Sequence, residues 1–275
     1  MKNKLSKILV IVGFLVCISP IVLNFFMAKE QKGIISTYEN TIKKDDTKFK
    51  EMKADAEKYN NMLFQTGGNA VDEISEKILS DNNYEKVLNV TESGVMGSLE
   101  IPKIDVKLPI FHGTSDESLA SGLGHLQGTS FPIGGENTHC VVSGHRGLPS
   151  SKLLVRLDEI NKNDLFFVKV GNDVLAYKVK EVVVVNPDDV STLTIKQSED
   201  LFSIVTCTPY GINTKRLIVT GVRVPYEKNE LNNIKVAIPS IREILIISIP
   251  FVLFGIIIVV NLIRKGRPVN ENEKI

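Results

Sequence analysis

Two stretches of this chain carry no charge over the length of a bilayer-crossing helix: Ile8 to Ala28, 21 residues, and Ile244 to Ile263, 20 residues. A helix needs about 20 apolar residues to cross the hydrocarbon core, so a wholly cytosolic enzyme is excluded. The flanks give the orientation. Lys2, Lys4 and Lys7 precede the first run with no acid, and Arg264, Lys265, Arg267 and Lys274 follow the second against Glu271 and Glu273. The ends thus hold seven bases against two acids, which leaves 26 bases and 30 acids for residues 29–243. Positive charge gathers on the cytoplasmic side, so both termini are expected inside and the middle outside the cell. That middle is slightly acidic and has no nucleotide loop or basic stripe, which argues against a nucleic-acid partner.

A cleaved signal peptide is the other reading of the first run. No good small-x-small site forms around Phe25 to Ala28, and the run is longer than a usual signal core. A lipoprotein anchored through Cys17 would need a small residue where Val16 stands. A retained anchor is therefore expected. The second run could be a buried core helix, but its length and basic stop predict a second span.

Proline is absent between Pro20 and Pro102 and recurs at short intervals afterwards. That shift predicts a helical segment followed by a domain of strands and turns. Tyr38, Ile42, Phe49, Met52, Ala56, Tyr59 and Leu63 recur at steps of three, four and seven, the signature of an amphipathic helix. The stripe is expected to pack on the next domain rather than pair as a coiled coil, because its seam is interrupted near Asp45 and is short. Gly67 to Val90 reads as short helices and a loop. After Thr91 come β-rich runs at Gly97–Ile101, Val106–Phe111, His139–Ser143, Leu165–Val170, Val174–Val185, Leu201–Cys207 and Arg216–Pro225. Seven or so short strands in this length predict a barrel or sandwich.

The chemistry has few candidates. Of the three cysteines, Cys17 lies in an apolar run, while Cys140 and Cys207 lie on strands. Cys207 ends its strand beside Thr208-Pro209-Tyr210-Gly211, and nine residues on, Arg216 opens the next. A hairpin of that spacing returns Arg216 beside Cys207. A guanidinium there stays protonated, favours the thiolate and can steady an oxyanion. His145 also sits at a strand end, in a glycine-flanked loop, and is the acid/base candidate. His139 adjoins Cys140, but neighbours on a strand point to opposite faces, so the two make a poor dyad. His112 and His125 lie in glycine-rich loops and are expected to hydrogen-bond backbone. A zinc site from His139, Cys140, His145 and Cys207 lacks a close cysteine pair, and a Cys140–Cys207 disulfide would block the nucleophile.

Two segments, Thr206-Cys207-Thr208-Pro209-Tyr210-Gly211-Ile212-Asn213-Thr214-Lys215-Arg216-Leu217 and Ser143-Gly144-His145-Arg146-Gly147-Leu148-Pro149-Ser150, closely resemble the active-site signatures of sortases, in particular the class C, pilin-polymerising ones. Leu99 to Ile104, His112 to Ser115 and Gly124 to Ser130 look like the same class. The resemblance runs from about residue 50 to the C-terminus. Lys215 stands where the class commonly has histidine. The Asp-Pro-aromatic lid motif common in class C is absent, since residues 21–101 contain no proline. A lid would have to come from Gly67 to Val90, with Asp72 as a candidate anchor.

The resemblance implies a mainly β fold: a closed sortase-type barrel of about eight strands, with an N-terminal helical extension and a transmembrane helix at each end. The corresponding division is a cytoplasmic tip and anchor at 1–28, an extracellular helical extension with possible lid at 29–90, and a catalytic barrel at 91–228. A linker at 229–243, a second span at 244–263 and a cytoplasmic tail at 264–275 follow. It also implies a cysteine transpeptidase that cuts an LPxTG-like sorting signal between Thr and Gly. Cys207 would be the nucleophile, His145 the general acid/base and Arg216 the oxyanion stabiliser, with neither cofactor nor metal. The acyl group would pass to a lysine of another pilin subunit. Val182 to Leu193 either walls the signal groove or is an ordinary surface turn. A sortase that anchors surface proteins to the cell-wall precursor is the nearest alternative. An L,D-transpeptidase lacks its Ser-His-Gly-Cys-type motif here, and a non-enzymatic membrane-tethered binding module would make the three residues a coincidence.

Overall fold

The amphipathic stripe breaks where its seam does. Helix α1 (Lys2–Lys44) ends before Asp45, whose carboxylate accepts from the Lys48 amide and caps α2 (Asp46–Gln65). The computed structural model describes residues 2–66, 84–227, 234 and 241–266. The rest of the expected Gly67–Val90 segment before Tyr84, Asp72 included, lies outside the described residues. Two compact units are present, one of Met1–Phe25 with Ala237–Ile275 and one of Phe26–Val236.

In the first unit α1 continues through Pro20, which cannot donate to the Val16 carbonyl. Ser19 Oγ donates to that carbonyl at 2.9 Å and supplies the missing bond. Most apolar side chains from Ile8 to Phe26 are exposed, as suits a lipid solvent rather than water. The helix is long and apolar enough to cross a membrane. The C-terminal helix, Ile241–Gly266, also carries an internal proline, Pro250, and its apolar stretch Ile247–Val260 is shorter. Phe14 stacks on Phe254 with ring centroids 4.4 Å apart.

The second unit is a closed barrel of eight strands in the order β1-β2-β3-β4-β7-β8-β6-β5. They are β1 (Val95–Ile101), β2 (Val106–Phe111), β3 (Leu123–His125), β4 (Thr138–Ser143), β5 (Leu165–Val170), β6 (Asp173–Val185), β7 (Asp200–Thr208) and β8 (Lys215–Val224). Seven match the β-rich runs; the three-residue β3 was expected to be loop. The β2–β3 and β4–β7 pairs are parallel and the rest antiparallel, with β1–β5 closing the ring. Alternate residues fill the interior: Met96, Leu99, Ile101, Ile110, Leu123, Phe166, Tyr177 and Phe202 are buried there.

The helical stripe packs on this barrel, as expected, rather than on a second helix of its kind. Tyr38, Ile42, Phe49, Ala56 and Leu63 are buried, with Met52 and Tyr59 packed against the same core. Polar contacts fix the seating. Tyr38 Oη donates to the Met96 carbonyl and accepts from the Gly171 amide, and Asn60 exchanges two hydrogen bonds with the Phe131 backbone. Between β5 and β6, Gly171 has φ +61°, and a Cβ there would lie 2.2 Å from the Phe49 ring. Gly171→Ala combines left-handed strain with overpacking, and should cost about 2–4 kcal/mol. It should lower the thermal midpoint of the detergent-solubilised chain, and adding Phe49→Leu should recover part of the loss.

Candidate active site

The site is a consequence of register. Parallel pairing sets Ser143 opposite Val205, and antiparallel pairing sets Cys207 opposite Arg216. The hairpin spacing that predicts a Cys207–Arg216 neighbourhood is therefore met as a direct cross-strand pair. Two residues beyond Ser143 and two beyond Val205 stand His145 and Cys207, so one parallel pair delivers both side chains to the same barrel end. Two bonds continue the pairing past the strand: the Gly144 amide donates to the Val205 carbonyl, and Thr206 Oγ1 donates to the Gly144 carbonyl at 2.7 Å.

His145 and Cys207, both half-buried, line one open pocket together with Arg146, Gly147, Tyr210, Gly211 and Asn213. Arg216 is not among its lining residues. Its Nη1 donates instead to the carbonyls of Asn213, at 3.3 Å, and Lys215, at 3.2 Å. Gly147 has φ +143°, and Tyr210 lies 3.3 Å from where its Cβ would be, so a side chain there would press the ring out of the pocket wall.

Strand alternation carries the site along the outer face of the barrel. Cys207, Val205 and Ser203 share that face of β7; Arg216, Ile218 and Thr220 share it on β8; His139 and Val141 share it on β4. Val141 and Ile218 are buried beneath Leu193, with Leu126, Val183, Val185 and Val205 packed around them. The Val182–Leu193 segment therefore folds back onto the strands that carry the site. His139 pins the same connection: Nδ1 meets the Thr194 carbonyl at 2.9 Å and Nε2 meets Ser203 Oγ at 2.8 Å. Ser203 is in turn hydrogen-bonded to Thr220.

The remaining candidates separate as the chemistry requires. Cys140 points inward and is wholly buried, and burial pushes its thiol well above the ordinary range. All three cysteines are free, and a Cys140–Cys207 disulfide is not formed. A zinc site from His139, Cys140, His145 and Cys207 is excluded, because both His139 nitrogens are occupied and Cys140 faces the core. His112 and His125 bond backbone as expected, His112 to the carbonyls of Gly94 and Val87 and His125 to that of Ser130. Tyr84 stacks near His125 and bonds its Nδ1 at 2.9 Å. Sequence reasoning assigned no role to Arg146, Tyr210 or Asn213; the charged residue inside the glycine-flanked His145 loop was the available signal.

A scan for known families matches residues 99–224 to the sortase domain. Sortase D of Bacillus subtilis is 34% identical over 131 residues, which is 46% of this chain and 63% of that protein, just under two thirds of its length. Among solved structures, sortase C1 of Streptococcus agalactiae is 39% identical with a TM-score of 0.65, covering 70% of this chain and 99% of that one. Clostridium perfringens sortase C, solved with the C-terminal cell wall sorting motif, is also 39% identical, with a TM-score of 0.61 and the same coverage. The chain belongs to the sortase family, and these structural neighbours are its class C members.

Two measurements follow from the site's surroundings. A water-soluble thiol reagent should modify Cys207 in the folded protein and reach Cys140 only after unfolding, read by peptide mass spectrometry. Burial lowers His125 and His139 from 6.5 to about 4. Both are thus held neutral when folded, so an unfolded chain takes up protons first on acidification. The stability contribution is full above about 6.5 and is lost as pH falls towards 4. The thermal midpoint should decline across that window, and less so in His139→Gln.

Proposed function

We propose that this chain is a membrane-anchored cysteine transpeptidase of the class C type, which cuts an LPxTG-like sorting signal between Thr and Gly and joins the new carboxyl end to a lysine amine of a pilin subunit. The observation that carries this reading is the meeting of Cys207 and His145 in one open pocket, with Arg216 as the cross-strand partner of Cys207. The solved Clostridium perfringens relative, with its sorting motif, supports the substrate class.

In this reading the Cys207 thiolate attacks the Thr carbonyl carbon, and the resulting oxyanion is met by the Arg216 guanidinium. Arg216 now bonds the carbonyls of its own turn, so it exchanges them for the oxyanion as the peptide enters. His145 gives a proton to the departing Gly amine, the C–N bond breaks and a thioester remains. The lysine amine then attacks, His145 takes its proton, and the thiolate leaves. The 1–28 segment anchors the enzyme, residues 244–263 form a second span, and both termini are cytoplasmic with the 91–228 barrel outside.

Incubation with a sorting-signal peptide followed by mass spectrometry should show an acyl adduct on Cys207. Cys207→Ala should abolish it, and an adduct surviving in that variant would sink the assignment. Arg216→Lys keeps the charge but loses the planar fork, and turnover should fall on the order of 100-fold or more. A ladder of linked pilin subunits would support the lysine acceptor, whereas transfer to a cell-wall precursor amine alone would support the anchoring sortase.

A further inference from the structure

Arg146 follows His145, and its guanidinium is almost entirely buried, with only 6% of the side chain exposed. Its Nη1 donates to Thr208 Oγ1, the residue after Cys207, and its Nη2 pairs with the Asp158 carboxylate. Nε is buried and has no partner. Arg146 also lines the pocket.

The placement has a pattern. Thr206 Oγ1 donates to the Gly144 carbonyl at 2.7 Å, one residue before each of Cys207 and His145. The Arg146–Thr208 bond lies one residue after each of them. Two side-chain bonds therefore straddle the His145–Cys207 pair, just past the last β4–β7 backbone bond, from the Gly144 amide to the Val205 carbonyl. Asp158, in the turn at Leu157–Glu159, braces the guanidinium from a third direction. A buried guanidinium with one unpaired nitrogen costs free energy that a loop chosen for packing alone would avoid with an apolar residue. Reaching a hydroxyl with one Nη and a carboxylate with the other needs a planar fork, which lysine lacks.

We infer that Arg146 is a positioning residue for the transfer reaction: its guanidinium, braced by Asp158 and bonded to Thr208, holds the His145 loop in register with Cys207. The inference rests on the reading of His145 and Cys207 as the working pair. It adds a residue that acts through both without taking part in bond making. A proton must move between the imidazole and a group bound at sulfur, and small errors in their separation are costly to rate. Losing the link should therefore lower kcat while leaving signal binding, and so KM, nearly unchanged.

The test uses the detergent-solubilised full chain and a sorting-signal peptide. Arg146→Lys and Thr208→Val should each reduce kcat on the order of 10- to 100-fold, with KM within about threefold of wild type. The loss should fall on kcat and spare KM, a split that a merely loosened fold would not give. The double variant Arg146→Lys with Thr208→Val should be no worse than the poorer single variant, because both remove one link. Should Arg146→Lys fail to fold, Thr208→Val, which deletes one hydroxyl, carries the same kcat-against-KM comparison. Unchanged kcat with only a lowered melting temperature would overturn the inference, as would losses that multiply in the double variant. Wild type that forms no Cys207 adduct would instead remove the proposed function, so the two failures are told apart.

Discussion

The pairing of β7 with a parallel neighbour on one side and an antiparallel one on the other is the constraint on which the site depends. Parallel register with β4 brings His145 level with Cys207, and antiparallel register with β8 brings Arg216 across from it. A slip of one residue in either pairing would turn an entire strand over, sending Cys207 inward and Ile204 outward. The core opposes such a slip, because Phe202, Ile204, Val219 and Leu217 must all be buried for the barrel to close. The reactive geometry is thus held by the same apolar burial that stabilises the fold.

The outer face of those strands changes character along its length. At one end His139, Ser203 and Thr220 form a buried polar chain that ties down the connection before β7. In the middle, Leu193 covers Val141 and Ile218. At the other end lie Cys207, Arg216 and the His145 loop. A buried imidazole bonded on both nitrogens is stiff, so His139 gives the overlying segment a fixed seat beside the apolar floor. Helices α1 and α2 do comparable work elsewhere on the barrel, where Tyr38 and Asn60 satisfy backbone groups of Met96, Gly171 and Phe131.

Much of this architecture was legible from local pattern. The stripe from Tyr38 to Leu63 and its break at Asp45 are periodicity and capping, both local properties. The long β-branched and aromatic runs announced seven strands. Strand β3 was not announced, because Leu123-Gly124-His125 is too short for alternation and its glycine favours a loop reading. Its pairing comes from β2 and β4 on either side. Arg146 was visible only as a charge in a glycine-flanked loop, since nothing in Gly144-His145-Arg146-Gly147 says that its guanidinium will turn away from water to meet Thr208 and Asp158.

The sequence alone determined the apolar, membrane-length character of the N-terminal run, the helix-then-strand order, and the placing of a cysteine, a histidine and an arginine at strand ends. Hydropathy, periodicity and turn chemistry act over a few residues, so no tertiary knowledge was needed. Only the tertiary structure decided that β4 runs parallel beside β7, pairing Ser143 with Val205 far along the chain. It also decided that Cys140 is the one that faces the core, with His139 outward, and that Arg146 joins the two loops of the site. Those outcomes depend on which distant strands share a ladder. Ladder partners are chosen by burial summed over the whole barrel, which no local stretch of chain encodes.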